Sequence, residues 1–445
     1  MKKAQGTAKV PPRRAKDAQK TGNVRSFLRV LGPGLVTGAS DDDPSGIATY
    51  SQAGAQYGLG LLWVSLLSLP MMAGVQEICD RTALATGRGL GELAAKKYPG
   101  KARRYLAVLI AALIIANALN IAADLVAIGS GMNLLHAGPI WIWALIAGVV
   151  ITVLVIAGNF AQISRIFNLL CLSLLTYFFV MFAVHVNWSQ VAVHTFVPRI
   201  SFTKGFIALL VAVLGTTISP YLFFWQSAHR LEEMREEPEG GNRALPLHKR
   251  SIKNAMWKTK TSRADVFFGM TLSNLVMFAI IVAAASTLHG KTIDSAAAAA
   301  AALKPVAGKW ASDLFAIGFI GTGMLAVPVL AGAGAAGMAC LLGKGYGFSR
   351  SIRKAPVFYI LVAVGTLGGA FLSLLTHNPI QLLVIVAEIN GVAAAPFLLL
   401  VMLISSDKKI MGEYRNGRLA STVGWITFAV MALASVTLLA QALGL

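Results

Sequence analysis

The chain has 445 residues, 56% of them hydrophobic and 13% charged, with a mean hydropathy of +0.67. Soluble domains carry about 25% charged residues, so this composition excludes an ordinary water-soluble fold and predicts a chain built for lipid. The net charge of +20 raises nucleic acid as a partner, an option that the placement of the basic residues excludes.

Residues 1–30 form a basic, polar stretch with no apolar core and no cleavage site, which reads as a cytoplasmic tail. Hydrophobic runs long enough to cross a bilayer follow at 33–57, 60–84, 104–134, 138–157, 167–186, 205–229, 264–288, 311–342, 356–376, 379–403 and 421–443. Eleven spans in one membrane domain, 31–445, are expected. The third and eighth are long enough to require tilt or extramembrane turns. The eighth also holds Pro328 and the small-residue run 331–337, suited to close helix contact. Segment 230–262, acidic and then basic, reads as a solvated loop, and 296–302 as low complexity without chemistry. Cys79, Cys171 and Cys340 are too few and too separated for a metal cluster, and read as packing residues.

With the N-terminus inside, only Arg199, Lys204, Lys291, Lys304 and Lys309 of the 39 Lys and Arg fall on the outer side. This is the positive-inside bias, and it accounts for the charge without nucleic acid. A multi-pass protein of a prokaryotic plasma membrane is expected, with a cytoplasmic N-terminus, an extracytoplasmic C-terminus and the lipid bilayer as its surroundings. A monomer is expected, with no cofactor.

Two polar interruptions stand inside the apolar spans: Ser40-Asp41-Asp42-Asp43-Pro44-Ser45-Gly46 in the first, and Gly215-Thr216-Thr217-Ile218-Ser219-Pro220 in the sixth. Proline removes a helical hydrogen bond and frees a carbonyl, so each interruption predicts a discontinuous helix. The prolines are 176 residues apart, and five spans begin at each break. Five is odd, so the second set must run through the membrane opposite to the first. The expectation is a pair of inverted repeats, 31–204 and 205–404, followed by an inner loop and an eleventh helix at 405–445, with an ion site between the two breaks.

Asp43 is the foremost ligand candidate. Its alternative role is a structural carboxylate accepting hydrogen bonds from the broken helix. Asp41 and Asp42 point elsewhere, toward the approach to the site or a neighbouring helix. Thr216 and Ser219 offer a freed carbonyl and a hydroxyl, oxygens suited to a hard cation, against the alternative of back-bonding within the helix. Tyr221 can donate to Asp43 or pack. Glu388 and Asn390, in the apolar tenth span, read as a second polar wall of the site, because an acid there has no place facing lipid. Glu77, Asp80 and Asp124 are further internal acids, with Asp80 expected in an interfacial pair with Arg81. His229 is expected at the interface, beside Arg230.

At Gly32-Pro33-Gly34, Asp43-Pro44-Ser45-Gly46, Gln52-Ala53-Gly54-Ala55-Gln56, Leu61-Leu62-Trp63, Ile128-Gly129-Ser130 and Ile410-Met411-Gly412 the sequence resembles the Nramp family of divalent-metal transporters, from Leu31 to about Leu443. The resemblance implies an all-α membrane protein of the LeuT fold, with helices 1 and 6 discontinuous. It implies metal ligation by Asp43 and by the Thr216 carbonyl. The departures are specific. Ser45 and Gly46 replace the family's Gly and Asn ligand, and Ser219-Pro220-Tyr221 replaces Met-Pro-His. Gln226 stands for a His, Glu388 for a Gln of the metal shell, and Val126 for a Glu of the proton path, with Asp124 nearby. The soft thioether is lost and a carboxylate is gained, which favours Mg²⁺ over softer metals. The pattern resembles the prokaryotic Nramp-related magnesium transporters. It implies import of a largely hydrated Mg²⁺, with Mn²⁺ as a second substrate, without proton coupling. The nearest rival is a proton-coupled Mn²⁺ or Fe²⁺ symporter, followed by a carrier of organic cations. No hydrolase or redox constellation points to an enzyme.

Overall fold

The computed structural model describes residues 32–158, 160–237, 240–241, 243–291, 293, 311–375 and 379–443. The basic tail, the low-complexity run 296–302 and His377 lie outside the described residues. The described part is helical throughout its long elements. The first span is broken into α1 (Pro33–Asp41) and α2 (Pro44–Tyr57). Next come α3 (Trp63–Thr86), a short α4 (Leu90–Lys97), α5 (Lys101–Leu134) and α6 (Ile140–Ala157). The fifth span is α7 (Phe160–Leu170) and α8 (Leu175–Ala183), joined by a 3₁₀ turn, and a short helix, α9 (Trp188–Phe196), follows it. The sixth is broken into α10 (Lys204–Thr217) and α11 (Pro220–Glu236). The chain continues with α12 (Ile252–Thr287), α13 (Ala311–Leu341), α14 (Pro356–Ser373), α15 (Pro379–Ser405) and α16 (Arg418–Ala442).

Among the described residues, nine helical spans are individually long and apolar enough to cross a membrane. The other two of the expected eleven are the halved first span and α3. Helix α2 with its short 3₁₀ extension passes that test only together with α3, from which it is bent by 108°. Helix α3 carries Glu77, Asp80 and Arg81 in its second half. At 1.5 Å per residue, the 34 residues of α5 extend about 51 Å. That exceeds a hydrocarbon core of about 30 Å, so α5 projects beyond it or tilts, as its length predicts.

The helices sort into two packed groups. Helix α12 packs on α1, α2 and α3, and α11 on α3; α5 packs on α6, α13 and α14. Helix α15 bridges to α10 and α2, and α16 covers α15 and α3. Without small residues α1 could not approach α12 as it does. A Cβ on Gly34 would stand 2.5 Å from Val266 N, and one on Gly38 2.2 Å from Gly269 O.

Three sequence expectations are corrected. Segment 230–262 is not one loop: α11 runs on to Glu236 and α12 begins at Ile252. Asp80 does not pair with Arg81, because adjacent side chains on a helix diverge whereas those four apart meet. Arg81 instead pairs with Glu77 at 3.1 Å, and Asp80 accepts from Arg230 at 2.6 Å. His229 is buried against Trp225, ring centroids 4.9 Å apart, rather than standing at the interface.

Candidate cation site

Each break frees the carbonyl four residues before its proline, Ser40 in the first span and Thr216 in the sixth. Asp43 caps α2, with Pro44 at the first helical position, where a missing N–H costs nothing. Its Oδ1 accepts from Gly46 N at 2.8 Å and from Ser45 Oγ at 2.5 Å. Its Oδ2 faces out of the helix and accepts from Asn120 Nδ2 at 3.2 Å and Tyr221 Oη at 3.4 Å. Tyr221 Oη also donates to the freed Ser40 carbonyl at 3.2 Å. The two contacts to Oδ2 are long, and they are the ones a cation can replace without unwinding α2.

At the second break, Ser219 Oγ donates to Gly215 O at 2.8 Å and to Thr216 O at 2.9 Å. The serine therefore back-bonds onto the freed carbonyl, which keeps a second lone pair. The two breaks touch through Gly46, whose absent Cβ would lie 3.0 Å from Thr216 Oγ1 and 3.3 Å from Asp41 O. Asp43, Gly46, Thr216, Ser219 and Tyr221 are thus brought to one place, fully buried.

Glu388 and Asn390 flank that place differently. Gly215 packs on α15 so closely that a Cβ would meet Ala387 O at 2.2 Å and Gly391 N at 2.4 Å. This sets residue 388 at the height of the second break. Its half-buried carboxylate reaches into a cavity of about 450 Å³ lined also by Gln52, Gln56, Leu209 and Gln381. No hydrogen bond joins Glu388 to Asp43 among the described residues. Asn390, 200° further round the helix, is buried with neither amide atom partnered among the described residues.

Asn120 escaped sequence reading. The signal was its spacing: Asn117, Asn120 and Asp124 fall at i, i+3 and i+7 on one face of an otherwise apolar helix. Asn117 Nδ2 holds Leu330 O at 2.9 Å. Both Asp124 oxygens and Asn120 Oδ1 are buried and unpartnered among the described residues. So are both oxygens of Asp42 and Oδ1 of Asp41, while Asp41 Oδ2 accepts from Ser273 at 2.9 Å. A buried polar group without a partner is costly, and a site that receives water or a cation supplies one. No cluster of three His, Cys, Asp or Glu able to hold a metal occurs among the described residues. Besides the Asp43 carboxylate, the breaks bring together neutral oxygens: the Ser40 and Thr216 carbonyls and the Ser219 and Tyr221 hydroxyls.

On the opposite side of the site the structure is closed by a charge network that links four helices. Arg230, 1% exposed, pairs with Asp80 at 2.6 Å, Asp265 at 2.8 Å and Glu233 at 2.5 Å. Asp265 also accepts from the backbone N–H groups of Gly32, Gly34 and Leu35, capping α1 from α12. Gln226 donates to Asp80 at 2.7 Å and accepts from Thr37 Oγ1 at 2.5 Å. The cavity beside Glu388 and Gln56 thus lies on one side of the buried breaks, and the Arg230 network on the other.

Comparison with known proteins agrees with this architecture. The family described as Natural resistance-associated macrophage protein-like (Nramp) matches residues 34–441. The chain is 25% identical, over 94% of each chain, to the divalent metal cation transporter MntH of Caldanaerobacter subterraneus. It is 27% identical to the MntH of Ralstonia nicotianae over 94% of this chain and 92% of that one. A manganese transporter of Eremococcus coleocola, crystallised with an aromatic bis-isothiourea compound, superposes with a TM-score of 0.71 at 16% identity, over 96% of this chain and 88% of that one. Mhp1, a nucleobase-cation-symport-1 family transporter, superposes at 0.57 and 13% identity, over 93% of each chain. The expected all-helical, LeuT-type fold is present. With the match extending over nearly its whole length, the chain belongs to the Nramp family.

Proposed function

We propose that the protein imports divalent cations by alternating access, with Mg²⁺ as its principal substrate and Mn²⁺ as a second. The observation that carries this reading is the oxygen-only second break. Ser219 stands where the resemblance sets a thioether, and its hydroxyl sits 2.9 Å from the Thr216 carbonyl. Hard oxygen donors favour Mg²⁺, an ion that keeps much of its water. Unpartnered Asn120 Oδ1, Asn390 and Asp124 support a hydrated guest, since each can meet a water molecule rather than the metal. The relatives' names, divalent metal and manganese transporters, support the broader class.

In the form described, Glu388 draws the ion into the outer cavity. The ion then exchanges places with the Asn120 and Tyr221 hydrogen bonds on Asp43 Oδ2. Opening toward the inside requires α1 and α11 to leave the Arg230 network. Two charges crossing a potential of 100 mV release about 4.6 kcal/mol, enough for roughly thousandfold accumulation without a proton. We place the protein in a prokaryotic plasma membrane, its N-terminus inside and its C-terminus outside, working as a monomer.

One observation favours a second reading, proton-coupled Mn²⁺ or Fe²⁺ symport. Asp124 is a buried carboxylate one turn from Asn120, with no partner among the described residues, and it is placed to carry a proton. Ion uptake into proteoliposomes, with internal pH followed at the same time, separates the two.

A further inference from the structure

A second cavity, of about 710 Å³, lies on the side of the Arg230 network and shares no lining residue with the cavity at Glu388. It is bounded by the end of α6 at Ala157, by Glu236 at the end of α11, and by the loop that leads into α14, with Ser349, Arg350 and Arg353 in its wall. Residues 342–355, which contain this loop, carry Lys344, Arg350, Arg353 and Lys354 and no acid. The loop is shaped from within. Glu232, buried on α11, accepts from Phe348 N and Ser349 N, each at 2.9 Å. Gly347, at φ 105°, allows this approach, because a Cβ there would stand 2.6 Å from Glu232 Oε1. Tyr359 Oη donates to Arg350 O at 2.8 Å and fixes the other end. Ser349 Oγ is buried with no partner among the described residues.

The cavity's surroundings indicate what fills it. Helices α6 and α14 pack together and turn Val153, Ile360 and Val364 outward, each more than half exposed, and Ile352 of the loop is 46% exposed. A ligand held by the arginines therefore has an apolar seam running away from it along two membrane helices. Guanidinium groups and a hydroxyl at the inner end of such a seam recognise a phosphate whose remainder lies in lipid. We infer that this cavity binds the headgroup of an anionic phospholipid of the inner leaflet. Arg350, Arg353 and Ser349 hold its phosphate, and the acyl chains lie along the α6–α14 seam. Glu236, the one carboxylate in the wall among the described residues, opposes a bare anion and suits a headgroup that carries hydroxyl donors beyond the phosphate, as phosphatidylglycerol does. The same loop gives its N–H groups to Glu232, so occupancy also steadies the contact between α11 and the segment before α14.

Native mass spectrometry and lipid titration of the full-length protein in detergent test this site. Phosphatidylglycerol is expected to remain bound where phosphatidylethanolamine is lost. The double variant Arg350→Gln, Arg353→Gln is expected to weaken phosphatidylglycerol by about tenfold or more, as loss of charge-assisted hydrogen bonds implies. Arg353→Gln alone, at an exposed position, gives a smaller loss in the same direction and guards against misfolding of the double variant. Unchanged phosphatidylglycerol affinity in the single or the double variant overturns the inference. So does equal binding of phosphatidylethanolamine. Displacement of the lipid by millimolar inorganic phosphate, with the same dependence on Arg353, overturns it in favour of a soluble anion site.

Discussion

Asn120, in the middle of the third span, donates its side-chain amide to Asp43 Oδ2 at 3.2 Å and so ties α5 to the first break. This bond joins the two packed groups of helices at the carboxylate on which ion binding is proposed to depend. Asn120→Asp would set a second carboxylate against Asp43, with repulsion relieved only by a cation. The variant is expected to unfold at a lower temperature than the parent without divalent ions. It should then gain more stability than the parent on adding Mg²⁺, because a ligand that binds only the folded state stabilises it by RT ln(1 + L/Kd), where L is the free ligand concentration, more for the tighter site. Thermal unfolding with and without Mg²⁺ checks this, and an equal gain in both proteins would remove Asn120 from the site.

Asp43→Asn keeps the side chain's shape and removes its charge. Hydrogen bonds and ion contacts to a charged group are worth about 1.5–3 kcal/mol, so affinity for Mg²⁺ or Mn²⁺ should fall roughly ten- to a hundredfold. Calorimetric titration reads the change directly. Retained affinity would leave Asp43 as a helix cap alone.

Gly46→Ala tests the closeness of the two breaks. The added Cβ meets Thr216 Oγ1 at 3.0 Å and Asp41 O at 3.3 Å, and overpacking of this kind costs about 1–3 kcal/mol. Uptake is expected to fall at least tenfold while the purified protein stays folded and monodisperse. Uptake at the parent's rate would show that α2 and α10 need not stay in contact.

Arg230→Met removes the one cation shared by Asp80, Asp265 and Glu233. Breaking a buried pair from one side costs about 3–5 kcal/mol, because Asp80 and Asp265 are left without a cation, whereas Glu233 keeps Lys258 at 2.8 Å. Part of the loss should return in the triple variant that also carries Asp80→Asn and Asp265→Asn, as measured by unfolding temperature. A mild effect of Arg230→Met would mean that the network is not what closes this side.

Gln56→Cys reports the sidedness of the cavity. Gln56 is exposed and lines the cavity, whereas Cys79, Cys171 and Cys340 are buried. A membrane-impermeant thiol reagent added to intact cells is expected to label Gln56→Cys and leave the parent unlabelled, with added Mg²⁺ slowing the reaction. Labelling only after the membrane is opened would invert the assigned topology.

Much of this was legible in the sequence, for definite reasons. Pro44 and Pro220 each follow a polar run, and that combination is a local signal, so both interruptions appear where the residues predict. Pro70, Pro328 and Pro396, in apolar surroundings, stay inside continuous helices. Apolar length is likewise a local property and gave the spans. Partners across helices are not local. Asp80 sits next to Arg81 in sequence and bonds to Arg230, 150 residues away. Arg230 reads as the start of a loop because hydropathy drops there, yet α11 continues through it, since three carboxylates from three helices meet its charge. Glu388 was legible as an acid in an apolar helix. Which way it points depends on Gly391 and Gly215 fixing the rotation of α15, and no pattern within α15 reveals that.

The proposed selectivity and energetics are tested together by ion flux in proteoliposomes held at an inside-negative potential, with internal pH recorded in the same vesicles. The account predicts Mg²⁺ entry that follows the voltage, is inhibited by Mn²⁺, needs about ten- to a hundredfold more Mg²⁺ in Asp43→Asn, and leaves internal pH unchanged. Mn²⁺ entry accompanied by acidification, with Mg²⁺ excluded, would contradict it.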